Sequence, residues 1–397
     1  MSSIRFPIYL DNHATTRVDP RVVNAMLPYF TEHYGNPSSR DHRYGWHAKE
    51  AVELARRRIA EAVHAQTAEI LFTSGATESN NLALKGVAEA YRDAGNRIVT
   101  CATEHSSVLD VCRTLELSGF IVTVIPVDEA GRIDLEALES ALIPGTIMVS
   151  VMIANNEIGT LAPIRAIGSM CRARNILFHT DAVQAFTRIP IDVRADGIDL
   201  MSLSAHKIYG PKGVGALYVR RGSRGVRLMP QMDGGGQESG MRPGTMNVPS
   251  IVGFGEATAI AMASRGEETR RITALRDALE TGLVSAGGVT VNGDRTHRLP
   301  NNLNVTFDGV KASDLMSEAR EIALSTGSAC TAEDIGREEY SHVLRAIGLD
   351  KNRASSTLRI GVGRFTTEEE ISYTIRRITE FLHHRRASAR PSSRIYS

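Results

Sequence analysis

Short apolar runs recur through the first 220 residues, at Ile70 to Thr73, Ile98 to Thr100, Phe120 to Val127, Ile147 to Ile153, Ile176 to Phe178, Ile198 to Leu203 and Ala216 to Val219. Several are separated by helix-length stretches of mixed polarity. Strand-length runs alternating with such stretches predict an α/β fold, a mostly parallel sheet of about seven strands with helices on both faces. From His47 to Val63, Ala51, Ala55, Ile59, Ala62 and Val63 recur at three- and four-residue steps, which predicts an amphipathic helix. Gly35 to Ser39 and the glycine-rich run Gln231 to Thr245 read as loops. Beyond about residue 262 the pattern becomes that of a smaller α+β unit. Its strands are expected around Asn304 to Phe307 and Leu358 to Val362, and its helix over Glu368 to His384, where Ile371, Ile375, Ile378 and Leu382 share a face.

In sheets of this class ligands bind beyond the carboxyl ends of the strands, so the residues found there carry the functional information. Asp11-Asn-His-Ala-Thr-Thr16 follows a short apolar run and places polar groups at such an end. After Ile70 to Thr73, Gly75 permits a turn and Thr77 can cap the helix that follows; the free N–H groups there suit either a phosphate or a plain capped helix. His105 ends the next strand, where it could stack on a planar ring, move protons or be a satisfied core histidine. Asn155 and Asn156 bring amides to the same level. Asp181 brings a carboxylate that can pair with a protonated pyridine nitrogen, with Gln184 three residues on.

The run Ile198 to Gly213 ends its apolar part in Ser204, His206 and Lys207, followed by the turn Tyr-Gly-Pro-Lys-Gly. A lysine at this strand end either snorkels to solvent or is buried, and burial lowers its pKa toward the range in which the amine forms a Schiff base. Phosphate cup, ring-stacking histidine, pyridinium partner and Schiff-base lysine at successive strand ends together point to a pyridoxal cofactor. Farther on, Cys330 lies among small residues in Ser325-Thr-Gly-Ser-Ala-Cys-Thr331, ahead of a charged run, and reads as an accessible loop thiol. Cys101, Cys112 and Cys171 lie in strand or helix patterns and read as small hydrophobes.

Bulk properties narrow the partners. A chain of 397 residues is long for one core and suggests two domains. A net charge of +1 supplies no basic field for nucleic acid. No apolar run approaches the ~20 residues that span a bilayer, and the N-terminus lacks a secretory apolar core, so a cytoplasmic location without a membrane partner is expected. The four cysteines show no Cys-x-x-Cys spacing, and no metal is expected.

The motifs Asp11-Asn-His-Ala-Thr-Thr, Thr73-Ser-Gly-Ala-Thr-Glu-Ser, Thr103-Glu-His, Asn155-Asn-Glu-Ile-Gly, Ser204-Ala-His-Lys-Ile-Tyr-Gly-Pro-Lys-Gly, Arg242-Pro-Gly-Thr, Gly327-Ser-Ala-Cys-Thr and Gly363-Arg-Phe-Thr-Thr-Glu-Glu-Glu together resemble the pyridoxal-phosphate-dependent cysteine desulfurases of the NifS/IscS type. The similarity runs from about residue 8 to residue 383, and the Ser-Ala-Cys-Thr form resembles the group with a long mobile cysteine loop. The resemblance implies the fold of class V aminotransferases, pyridoxal-phosphate transferase fold type I. It implies a homodimer whose large domain spans 16–262 and whose small domain combines 1–15 with 263–384, with 385–397 expected as a disordered basic tail.

Carried over by motif, Lys207 would hold the cofactor, His105 would stack on its ring, Asp181 would meet the pyridine nitrogen, and Gln184 and Asn156 would lie near the phenolic oxygen. Ala76, Thr77, Ser204 and His206 would hold the phosphate, with Thr245 arriving from the other subunit. Arg359, helped by Asn36, would grip the carboxylate of L-cysteine. Cys330 would take the sulfur as a persulfide, with Lys207 and His105 moving protons, and L-alanine would leave. Two departures from the family pattern, the longer acidic run Glu333 to His342 and the basic run after Arg385, leave the sulfur-acceptor protein open among an iron–sulfur scaffold, a tRNA-thiolation relay and a DNA-sulfur modification system. A class V aminotransferase or selenocysteine lyase would share the cofactor residues; Cys330 is what separates them.

Overall fold

The computed structural model describes residues 4–222, 224–327 and 340–389, with side chains to residue 385. The expected strands form one seven-stranded sheet in the order Ile70–Thr73, Gly215–Val219, Leu200–Ser204, Leu177–Asp181, Thr146–Ser150, Arg97–Cys101, Ile121–Ile125. Gly215–Val219 runs antiparallel to both its neighbours, and the remaining pairs are parallel. Four of the strands are buried along their whole length, as a sheet covered on both faces requires. One face is covered by the helix Arg43–Ala62, whose Val52, Ala55 and Ile59 meet Phe72, Val149, Phe178 and Met201 in a core that includes Phe254. The other face is covered by Ala76–Ala90 and Ser106–Leu117, through Leu84, Val87, Val108 and Val111.

The helix Arg43–Ala62 begins four residues before its expected start. His42 caps it by accepting from the Gly45 N–H at 3.2 Å, a cap chemistry outside the usual Ser/Thr/Asp/Asn set.

A second core gathers Ile8 and Leu10 with Leu303, Val305, Leu358, Ile360 and Leu382. Its strands Val289–Asn292, Asn302–Phe307 and Thr357–Gly361 form an antiparallel sheet. Ile8–Tyr9 pairs in parallel with Ile322–Ala323, which draws the first described residues into this unit. The division expected at residue 262 falls inside a single 38-residue helix, Val248–Ser285. This helix packs Phe254 and Ala257 into the first core and Leu275, Leu279 and Leu283 into the second, so it joins the two.

The C-terminal helix runs Glu368–Ala389, five residues beyond the expected His384. Arg385 reaches Asp314 Oδ2 at 2.7 Å, which ties this end of the helix to the second unit where a disordered tail was expected. Among the described residues no helix is long and apolar enough to cross a membrane.

Candidate active site

The parallel strands deliver their carboxyl ends to one cavity of about 460 Å³, within the ~300–1,000 Å³ range of small-molecule sites. Because Gly215–Val219 runs the other way, the turn before it brings Lys212 and Gly213 to the same edge. One wall is the start of the helix Ala76–Ala90. Gly75 takes the N-cap position at φ +155°, a conformation open to glycine, and supplies no side-chain cap. Thr77 therefore does not cap this helix, contrary to expectation. It sits inside the first turn, and its carbonyl accepts from Asn81 at 2.9 Å. The first-turn N–H groups are left facing the cavity, where the positive end of the helix favours an anion. Ser204 and His206 line the cavity with Ala76 and Thr77. His206 is bonded to Thr15 Oγ1 at 3.1 Å, and burial draws its pKa down to about 3, so it is a neutral hydrogen-bonding group.

Asp181 is buried at its strand end. Its Oδ1 accepts from the Val183 N–H at 3.0 Å and its Oδ2 from Asn80 Nδ2 at 2.9 Å. His105 caps the helix Ser106–Leu117; its Nδ1 accepts from the Ser107 N–H at 3.1 Å and lies 2.8 Å from Ser107 Oγ. Burial lowers the His105 pKa first, and the charge of Lys207 lowers it further, while Asp181 opposes both.

Lys207 Nζ donates to the backbone carbonyls of His13 and of Ala14, the latter at 2.7 Å. Burial, followed by the charges of Arg359 and Arg188, draws its pKa down to about 7 against the opposing pull of Asp11 and Asp181. The amine is thus substantially unprotonated near neutrality, which is the nucleophilic form. Gln184 pairs twice with His13, Oε1 with the ring Nδ1 at 3.0 Å and Nε2 with the carbonyl at 3.1 Å. Asn156 also lines the cavity, whereas Asn155 is spent on the local turn, accepting from the Glu157 and Ile158 N–H groups.

Arg359 is 2% exposed and reaches the cavity from the second unit. Its guanidinium donates to Asp11 Oδ1 at 3.0 Å, to Ser325 Oγ at 3.3 Å and to the Asn156 carbonyl at 3.3 Å. Its Nε is buried with no partner among the described residues. A buried cation with a donor to spare suits a carboxylate ligand.

Ala76, Thr77, His105, Asn156, Asp181, Gln184, Ser204, His206, Lys207 and Arg359 are thus brought together around one cavity. Asn36 does not line it; its Oδ1 accepts from the Ser38 N–H at 2.9 Å within its own loop. Thr245 is exposed and also stands apart. Cys330, most of the acidic run after it and residues 390–397 lie outside the described residues. Two side chains at the site, Asn80 and Ser107, were not singled out from the sequence, and His13 was read only as part of the run Asp11 to Thr16. Asn80 follows Ala76 by four residues on one helix face, and Ser107 follows His105 by two at a helix start; those spacings are the signals that could have found them.

Comparison with known proteins places this geometry. Residues 8–374 match the family model described as aminotransferase class-V. The chain is 53% identical over 374 residues, 94% of its own length and 92% of the relative's, to the cysteine desulfurase IscS of Anaeromyxobacter dehalogenans. A solved NifS-like protein superposes with a TM-score of 0.88 at 38% identity, covering 95% of this chain and 99% of that one. DndA from Streptomyces lividans superposes with a TM-score of 0.76 at 40% identity, covering 88% and 97%. The chain belongs to the class V aminotransferase family. Its cofactor is that of the family, pyridoxal phosphate, and the cavity fits it: an open helix start for the phosphate, a buried carboxylate for the pyridine nitrogen and a buried amine for the aldehyde.

Proposed function

We propose that this protein is a cysteine desulfurase, converting L-cysteine to L-alanine, with the sulfur carried on Cys330 as a persulfide and passed to an acceptor protein. The observation that carries the reading is the buried Lys207 amine, which shares one cavity with Asp181 and with the spare donor of Arg359. Bound there, pyridoxal phosphate supplies an electron sink for the bonds around the substrate Cα. Ala76 and Thr77 would hold the phosphate through backbone N–H groups, with Ser204 and His206 beside them. Asp181 would pair with the pyridine nitrogen, His105 would stack on the ring, and Gln184 and Asn156 would lie near the phenolic oxygen.

Arg359 would orient the substrate by its carboxylate; Asn36, whose Oδ1 is engaged within its own loop, takes no part in this cavity. Lys207, in its unprotonated form, would take the Cα proton and His105 would return one, each then being reset by proton exchange with solvent. The Cys330 thiolate attacks the substrate sulfur: an S–S bond forms, the C–S bond breaks with its electron pair left on carbon, and protonation of that carbon completes alanine. Cysteine plus protein thiol gives alanine plus protein persulfide, with no outside oxidant.

Thr245 is exposed outside its own chain's cavity, and Leu27, Phe30, Tyr34, Tyr44 and Trp46 are exposed as well. Both observations support a homodimer in which Thr245 reaches the partner's phosphate. The location we assign is cytoplasmic. The test is incubation of purified protein with L-cysteine and a thiol reductant: sulfide and alanine should appear in equal amounts, and pyruvate or a keto acid in place of alanine would refute the assignment.

A further inference from the structure

His105 is the N-cap of the helix Ser106–Leu117, and two groups converge on its Nδ1: the Ser107 N–H at 3.1 Å and Ser107 Oγ at 2.8 Å. The hydroxyl is oriented from its other side. Asn80, fully buried, donates through Nδ2 to Ser107 Oγ at 2.8 Å and to Asp181 Oδ2 at 2.9 Å. The Asn80 amide nitrogen serves both acceptors, so both of its hydrogens are used. Ser107 Oγ already accepts from Asn80, which directs its own hydrogen to His105 Nδ1. A ring nitrogen that receives both an N–H and an O–H carries no proton, so the neutral ring bears its proton on Nε2.

Protonating Nδ1 would break the cap and set a positive charge against a helix N-terminus. Asn80 Oδ1 is left buried with no partner among the described residues, an arrangement that makes sense where both amide hydrogens are held elsewhere.

We propose that Ser107 and Asn80 are positioning residues that lock His105 in its Nε2–H tautomer, so that the ring meets the reacting centre as a neutral proton donor while the same amide clamps Asp181. This deepens the desulfurase reading, in which His105 returns a proton, and rests on it for its catalytic meaning. The geometry itself involves only groups of this chain. Burial lowers the His105 pKa first, Lys207 and His342 lower it further, and Asp181 and Asp110 oppose them.

The test reads the tautomer directly, in cofactor-free protein labelled with ¹⁵N at histidine, with His105→Gln assigning the resonances. Near neutral pH the wild type should show Nδ1 as an unprotonated acceptor and Nε2 protonated. Ser107→Ala leaves only the backbone donor and should put His105 into exchange between two tautomers; Ser107→Thr keeps the hydroxyl and should restore one. In turnover assays of the loaded enzyme, Ser107→Ala should lose about tenfold in kcat with KM unchanged, and Ser107→Thr should recover it, since a mispopulated general acid forfeits part of a ~10²–10⁴ contribution. A wild-type proton on Nδ1 overturns the proposal, and this reading stands alone if Ser107→Ala does not fold. So does a Ser107→Ala protein with the wild-type tautomer. A protein with the Nε2 proton in place that makes no sulfide leaves the relay standing and sinks the desulfurase assignment instead.

Discussion

In the cavity at the strand ends, burial draws the Lys207 ammonium down to about 7; within the sheet and its covering helices, the same loss of water pushes the thiols of Cys101, Cys112 and Cys171 up to about 11, 12 and 12. Burial disfavours whichever form is charged. For an amine that leaves the nucleophile; for a thiol it removes it. Glu104, itself held well above the usual carboxylate range by burial, adds to the effect on Cys101 and Cys112. Cys101, Cys112 and Cys171 are therefore silenced by the same effect that activates the lysine, and in the proposed reaction the sulfur-accepting role falls to Cys330.

The largest effect should come from removing the activated amine. Lys207→Ala should fold normally by circular dichroism yet lose turnover by about 10³-fold or more. Borohydride treatment of the loaded wild type should fix the cofactor on the peptide bearing Lys207, and label on Lys212 or Lys85 would contradict the comparison at its root. Arg359→Lys should raise KM for L-cysteine about 10- to 100-fold with a smaller change in kcat. A lysine cannot serve Asp11, Ser325 and a substrate carboxylate from one planar fork, and a hydrogen bond to a charged group is worth ~1.5–3 kcal/mol.

The comparison sharpens further with pH. Lys207 has its folded pKa depressed, so in cofactor-free protein its reaction with a small amine-reactive reagent should rise through about pH 7 and level off above it. Exposed lysines should still be gaining reactivity toward pH ~10. Peptide-resolved mass spectrometry reads both in one experiment; a Lys207 profile that follows the exposed lysines would remove the claim of activation by burial. The smallest effect belongs to the silent side. Cys112→Ala should leave sulfide production unchanged and lower unfolding stability by about 1 kcal/mol, the scale of a small side chain deleted from a core.

The strand ends were legible in the sequence because each active side chain closes an apolar run: Asp181, Lys207 and the segment up to His105 all stand where the periodicity stops. What was not legible depends on partners far along the chain. Asn80 is 27 residues from Ser107 and 101 from Asp181, and no local pattern reports that it touches both. The helix Val248–Ser285 escaped as a single element because its buried side changes from one core to the other midway. Thr77 looked like a cap by residue type, but Gly75 reaches a backbone conformation that lets the helix begin earlier. Thr245 carries the expectation of a residue from the other subunit and Asn36 that of a substrate ligand, and neither lines this chain's own cavity.

The central claim, that sulfur leaves cysteine for the Cys330 thiol, is tested most directly by brief exposure of the loaded enzyme to L-cysteine without reductant, followed by peptide mass spectrometry and alanine assay. The account predicts one extra sulfur on the peptide carrying Cys330, an equal amount of alanine, and unmodified Cys101, Cys112 and Cys171. Full alanine and sulfide production by Cys330→Ala, with no sulfur retained on the protein, would contradict it.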